Sequence, residues 1–131
     1  MKGDDFVGIQ NYVRMVWGAQ GALPLSPDSL VNQEGHEVYP PSLGNVARYV
    51  HAATGVPIFV TEHGVMTLDD GLRARVTPLA LAGLHEAIAD GVPVLGYLHW
   101  SLLDNFEWVH GYVPRYGLVA VDPQSFERRP K

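Results

Sequence analysis

Cysteine is absent from the 131 residues, which excludes a disulfide framework and thiol redox chemistry. Long apolar runs are absent too. No stretch approaches the ~18 residues of a transmembrane helix, and Met1-Lys2-Gly3-Asp4-Asp5 offers no apolar segment of a signal peptide. Lys and Arg are few and unclustered, and the net charge is −5, which argues against nucleic acid or an anionic membrane as partner. A soluble cytoplasmic protein is the expectation. Charge of either sign is sparse at 18%, so a large share of the surface is expected to be apolar. There is no internal repeat and no low-complexity tract. The adjacent acid pair Asp69-Asp70 can suggest a metal. Nothing of ligand type clusters with it, and an acidic helix start explains it as well. Neither a metal nor a cofactor is expected.

What is present suits one domain over residues 1–131: 47% of the residues are hydrophobic, enough for a core. Phe6 to Val13 reads as a strand, apolar at first and polar at its end. Arg14 to Val38, punctuated by Gly18, Gly21, Pro24 and Pro27, reads as a long loop. Pro41 and Ser42 open a helix to about Thr54, with Leu43, Val46, Ala47, Val50 and Ala53 at helical spacing and Gly55 as its cap. Pro57 to Thr61 is a short buried strand. Leu72 to Asp90 is a helix whose apolar face is Leu72, Val76, Leu79, Leu84, Ala87 and Ile88. Pro78 either kinks it or marks its first turn. Pro93 to Leu98 is a third strand, and Gly117 to Val121 is a short extended piece. Strands alternating with helices predict a parallel α/β sheet.

The stretch after the third strand is the most informative. His99, Trp100, Ser101, Asp104, Asn105, Glu107, Trp108, His110, Tyr112, Arg115 and Tyr116 mix aromatic faces with carboxylates and amides. Sugars suit such a surface, since their CH faces stack on Trp and their hydroxyls bond carboxylates. A Trp-rich core corner fringed by solvated acids fits the same composition.

Three segments carry a resemblance. Trp100-Ser-Leu-Leu-Asp-Asn-Phe-Glu-Trp108, with Gly111-Tyr112 and Arg115-Tyr-Gly-Leu118 after it, resembles the C-terminal signature of family 1 glycoside hydrolases, the β-glucosidase family. Pro57-Ile-Phe-Val-Thr-Glu62-His-Gly64 resembles the family's nucleophile strand, I-T-E-N-G. Asp5-Phe-Val-Gly-Ile-Gln-Asn-Tyr12 resembles its D-F-I-G-x-N-Y-Y strand. The three fall in family order, and the resemblance covers essentially the whole chain. It implies a (β/α)₈ barrel, which ordinarily takes ~250 residues. About three parallel strands with flanking helices would then be present, a partial TIM barrel, with roughly the first five strands missing.

The resemblance also implies roles. Glu62 would be the nucleophile and Tyr12 the residue that orients it; taken alone, Tyr12 reads rather as a strand-end aromatic packed on the core. Gln10, Trp100, Glu107, Trp108 and Tyr116 would hold the sugar. The departures are Gln10 for Asn, Asn11 for the first Tyr, His63 for Asn beside the nucleophile, and Pro78 and Ala82 in the helix motif that Arg75 and Leu79 match. A retaining glycosidase also needs a second carboxyl group about 5–5.5 Å from the first. The family holds it in an N-E-P motif, and this sequence has none. Glu34, Glu37, Asp104 and Glu107 are the spare acids. Two readings follow: a β-glycosidase acting on a β-glycoside, completed by self-association or by a complementing chain; or a non-catalytic half-barrel that binds sugar weakly or is inactive.

Overall fold

A computed structural model describes residues 3–131. In chain order the elements are β1 (Val7–Asn11), β2 (Trp17–Gly18), β3 (Gly21–Ala22), α1 (Ser42–Thr54), β4 (Ile58–His63), α2 (Asp70–Ala89), β5 (Val94–His99), β6 (Val119–Val121) and β7 (Arg128–Pro130). Strands β1, β4 and β5 form a parallel sheet in that order. Each crossover between neighbouring strands carries a helix, the usual way to join parallel strands. Both helices lie on one face. Ile9, Ile58 and Val60 of the sheet bury against Leu43 and Ala47 of α1 and against Ala80, Leu84 and Ala87 of α2. The helices approach closely enough that a Cβ on Gly44 would overlap the Gly83 carbonyl. On the opposite, open face Phe6 packs on Phe59 at 5.9 Å, and Leu98 is exposed. Three strands with helices outside and an uncovered inner face are one arc of a (β/α)₈ barrel.

The expected elements are all found, with shifted bounds. The first strand stops at Asn11 rather than Val13, and the second runs on through Glu62 to His63. The 14–38 loop is not featureless. It holds the β2–β3 hairpin, whose reversal places Gly21 at φ +123°, and a bridge between Arg14 and Glu37. Gly55 caps α1 in the left-handed region, as expected. Helix α2 begins two residues early because the Asp69 side chain accepts from Gly71 N at 2.9 Å, so the acid pair is a helix start. Pro78 sits in the interior of α2, not its first turn. The buried face of α2 is Leu72, Arg73, Val76, Ala80, Leu84 and Ala87. Leu79 and Ile88, expected on it, are exposed because each lies about a quarter turn from its mid-line. Ala53 of α1 is exposed for want of a partner on that side. The extended piece near Gly117 is β6, paired antiparallel with β7, a strand the sequence reading missed.

Candidate active site

The polar ends of the three strands meet on the open face, and one irregularity aims them. Opposite β1, Ile9 pairs with Val60 but Gln10 pairs with Glu62. Opposite β5, Val60 pairs with Tyr97 but His63 pairs with His99. Strand β4 therefore carries one extra residue between Val60 and His63. Strict alternation would put Glu62 on the helix side with Val60. The bulge instead sends Thr61 and Glu62 both to the open face, and His63 back under the helices. Thr61 lies against Gly8 and donates to Ile9 O at 3.1 Å.

Glu62 meets the end of β1 there. Tyr12 Oη donates to Glu62 Oε2 at 2.6 Å, across 50 residues of sequence. Burial, then the bond to Glu62 and its charge, hold the Tyr12 phenol far above its ordinary range, so it stays a donor. Among the described residues Glu62 Oε1 accepts no hydrogen bond, which leaves one carboxylate oxygen for a ligand. Tyr116 stands edge-on to Tyr12 at 5.7 Å. Its phenol too is raised, chiefly by burial and then by the charges of Glu107, Glu34 and Glu62. Gln10 is exposed on the open face, in register with Glu62. Asn11 turns to the helix side, where it accepts from Ser42 Oγ at 2.7 Å.

The third strand delivers the aromatic segment. Trp100 N donates to His63 O at 2.8 Å, and a Cβ on Gly64 would overlap the Trp100 carbonyl, so this glycine permits the approach. Trp100 Nε1 donates to Glu107 Oε1 at 3.0 Å, and Asn105 Nδ2 donates to the same oxygen. Glu107 is thus held in place by two donors on one oxygen. Trp108 is 86% exposed, its φ of 44° set in the turn that closes on Gly111. Among the described residues its indole N–H has no hydrogen-bond acceptor. The structure therefore joins Tyr12, Glu62 and Tyr116 in one cluster and Trp100 with Glu107 in another, and leaves Gln10 and Trp108 exposed.

Two groups escaped the sequence reading. The first is Arg73, only 4% exposed. Its guanidinium donates to Val65 O at 2.7 Å, Thr67 O at 2.9 Å, and Tyr116 O and Arg115 O at 3.2 Å each. It straps the loop after Glu62 to the aromatic segment. Arg75, the arginine matched to the family motif, is exposed. The signal was available: Arg73 falls on the buried face with Leu72 and Val76, where an arginine is an outlier. The second group is His63, Tyr97 and His99, bonded in a row on the helix side of the sheet.

Residues 8–131 match the family model of glycosyl hydrolase family 1. The chain belongs to that family. A galactolipid galactosyltransferase of Arabidopsis thaliana is 42% identical over 124 residues, covering 90% of this chain and 19% of that protein. A beta-galactosidase of Pyrococcus woesei is 32% identical over 154 residues, covering all of this chain and 30% of that protein. Among solved structures, a beta-glycosidase superposes with a TM-score of 0.93 at 46% identity, covering 98% of this chain and 31% of that one. The family 1 chain described here is therefore a partial TIM barrel spanning a fifth to a third of the proteins it matches. Within the described residues no helix is long and apolar enough to cross a membrane.

Proposed function

We propose that this chain is one domain that carries the nucleophile half of a retaining β-glycosidase site. Glu62 attacks the anomeric carbon and Tyr12 holds its carboxylate in line. Trp100 lies under the sugar ring, and Gln10, Glu107, Trp108 and Tyr116 bind around it. The observation that carries this reading is the 2.6 Å bond from Tyr12 to Glu62 at adjoining strand ends, where barrel enzymes keep their chemistry. The substrate is a β-glycoside. The Arabidopsis relative is named a galactolipid galactosyltransferase, and transfer to an acceptor hydroxyl in place of water is the same chemistry at Glu62.

The second carboxylate is the open requirement. Glu37 is buried against Arg14 at 2.6 Å and Ser29 at 2.9 Å. Asp104 is enclosed by Gly117 N and Lys131 Nζ at 2.9 and 3.0 Å. Glu107 is committed to Trp100 and Asn105. Glu34 faces only His110 and His36, at 3.5 and 3.6 Å. It is the one spare acid not tied to a lysine, an arginine or the site's own side chains. A second copy, or a chain supplying the other strands, would bring further acids. The shortage of a free acid is also the observation that favours the non-catalytic reading.

Hydrolysis of an activated aryl β-glucoside separates the two. A good leaving group lessens the need for general acid help, which is ordinarily worth ~10²–10⁴-fold. Turnover that vanishes in Glu62→Gln supports the enzyme. Turnover unchanged in Glu62→Gln removes Glu62 as nucleophile, and its absence in the native chain leaves the non-catalytic half-barrel.

A further inference from the structure

Behind Glu62, on the helix side of the sheet, three side chains form a row that the glycosidase reading does not use. His63 Nδ1 lies 2.8 Å from Tyr97 Oη, and Tyr97 Oη lies 3.0 Å from His99 Nδ1. Their places in the register matter. Tyr97 pairs with Val60, the last residue before the bulge, and His99 pairs with His63, the first residue after it. The row therefore ties together both ends of the irregularity that turns Glu62 to the open face. Strand β1 brackets the same bulge, Ile9 pairing with Val60 and Asn11 with His63, but among the described residues no β1 side chain bonds to His63.

We propose that His63, Tyr97 and His99 are positioning residues: a clasp that fixes the β4 bulge and so holds Glu62 toward Tyr12. This rests on the reading of Glu62 as nucleophile but makes a separate structural claim. The proton count gives the clasp a direction. A neutral Tyr97 hydroxyl has one proton, so it donates to one imidazole and accepts from the other. The accepting histidine is then bare at Nδ1 and the donating one protonated there, so as neutral rings they hold opposite tautomers. His99 Nε2 is buried without a partner, and a buried orphan N–H is the costlier choice, so Nε2 is the bare nitrogen. The row reads His99 Nδ1–H to Tyr97 Oη, then Tyr97 O–H to His63 Nδ1, with the His63 proton on Nε2. Burial pushes Tyr97 up to about 12 and both histidines below their ordinary range, which favours this neutral row. Asparagine at position 63, the usual family residue, is too short to make the same tie.

Two measurements on the full chain test it. Long-range proton–nitrogen correlation spectra of histidine-labelled protein at neutral pH are expected to show His99 protonated on Nδ1 and His63 on Nε2. The same tautomer in both, or a cation at either, overturns the clasp. A 2-deoxy-2-fluoro aryl glycoside then reports Glu62 directly. The carboxylate forms a bond to the anomeric carbon, the bond from that carbon to the aryloxy oxygen breaks, and the phenolate leaves with the electron pair. Labelling of Glu62 is expected to slow about tenfold or more in Tyr97→Phe, and an unchanged rate overturns the proposal. If the native chain is not labelled, the nucleophile reading fails and amide exchange decides the clasp. Tyr97→Phe is expected to speed exchange about tenfold across residues 60–63 while α1 keeps its native rates. Equal exchange at the bulge, or equal acceleration everywhere, overturns it.

Discussion

Tyr12 has one hydrogen-bonding group, and it is spent on Glu62. Tyr12→Phe keeps the ring against Tyr116 and removes only the donor. A hydrogen bond to a charged group is worth about 1.5–3 kcal/mol, so hydrolysis of an aryl glycoside should fall about ten- to hundredfold. The melting temperature should fall by only a few degrees, since the bond is lost but the ring still packs. A large drop in melting temperature with an unaltered rate would reverse that assignment. His63 makes a different prediction. Burial, and then the neighbouring His99, lower its pKa from 6.5 to about 4. Between those values the unfolded chain binds a proton that the folded chain does not. Stability is therefore intact above pH 6.5, falls as the pH drops through that window, and levels off below about 4. The slope from this group alone is at most about 1.4 kcal/mol per pH unit, and His99, also lowered, acts with the same sign. Urea midpoints at several pH values check it, and His63→Asn should flatten the dependence. A variant as acid-sensitive as the native chain would refute it.

At the scale of elements, α2 does two jobs. Its apolar face covers the sheet, and Arg73 reaches past the sheet to gather four carbonyls from the loops on either side of the site. Removing the guanidinium leaves those carbonyls buried and unpaired. Arg73→Met should cost roughly 3–5 kcal/mol, the scale for stripping one partner from a buried charged network. Against a typical total of about 5–15 kcal/mol that is severe, and urea denaturation would measure it. A loss under 1 kcal/mol would mean that water satisfies the loops. Arg73 also marks where sequence reading stopped. Strands and helices were legible because apolar runs and 3.6-residue spacing report burial directly. The meeting of Glu62 and Tyr12 was legible through the family resemblance of the two motifs that end their strands. The bulge was not, since one extra residue in β4 shows only against the register of both neighbours. Nor was the clasp, because Tyr97 and His99 read as strand residues until His63 is set beside them. Arg73 was not singled out because two arginines two residues apart look alike in sequence, and only the packing of α2 separates the buried one from the exposed one.

The whole molecule has one covered face and one open face. Strands β1 and β5 are both edges, each with unpaired backbone groups. On the open face Phe6, Leu95 and Leu98 lie bare, and beyond the strand ends so do Leu102 and Phe106. Parallel sheets ordinarily bury both faces, and apolar patches of this kind mark contact surfaces. The chain alone should therefore self-associate through the open face, and its mass by light scattering should exceed the 14.4 kDa of one copy. Leu98→Glu places a charge in the middle of that face while leaving the helix side untouched, so it should shift the chain toward monomer with its helices intact by circular dichroism. If activity resides in the assembly, the same substitution should abolish hydrolysis although every candidate site residue is retained. A native chain that runs as a stable monomer at tens of micromolar would show that three strands tolerate an open inner face. Activity in that monomer would further mean that an acid within this chain, Glu34 first, completes the site.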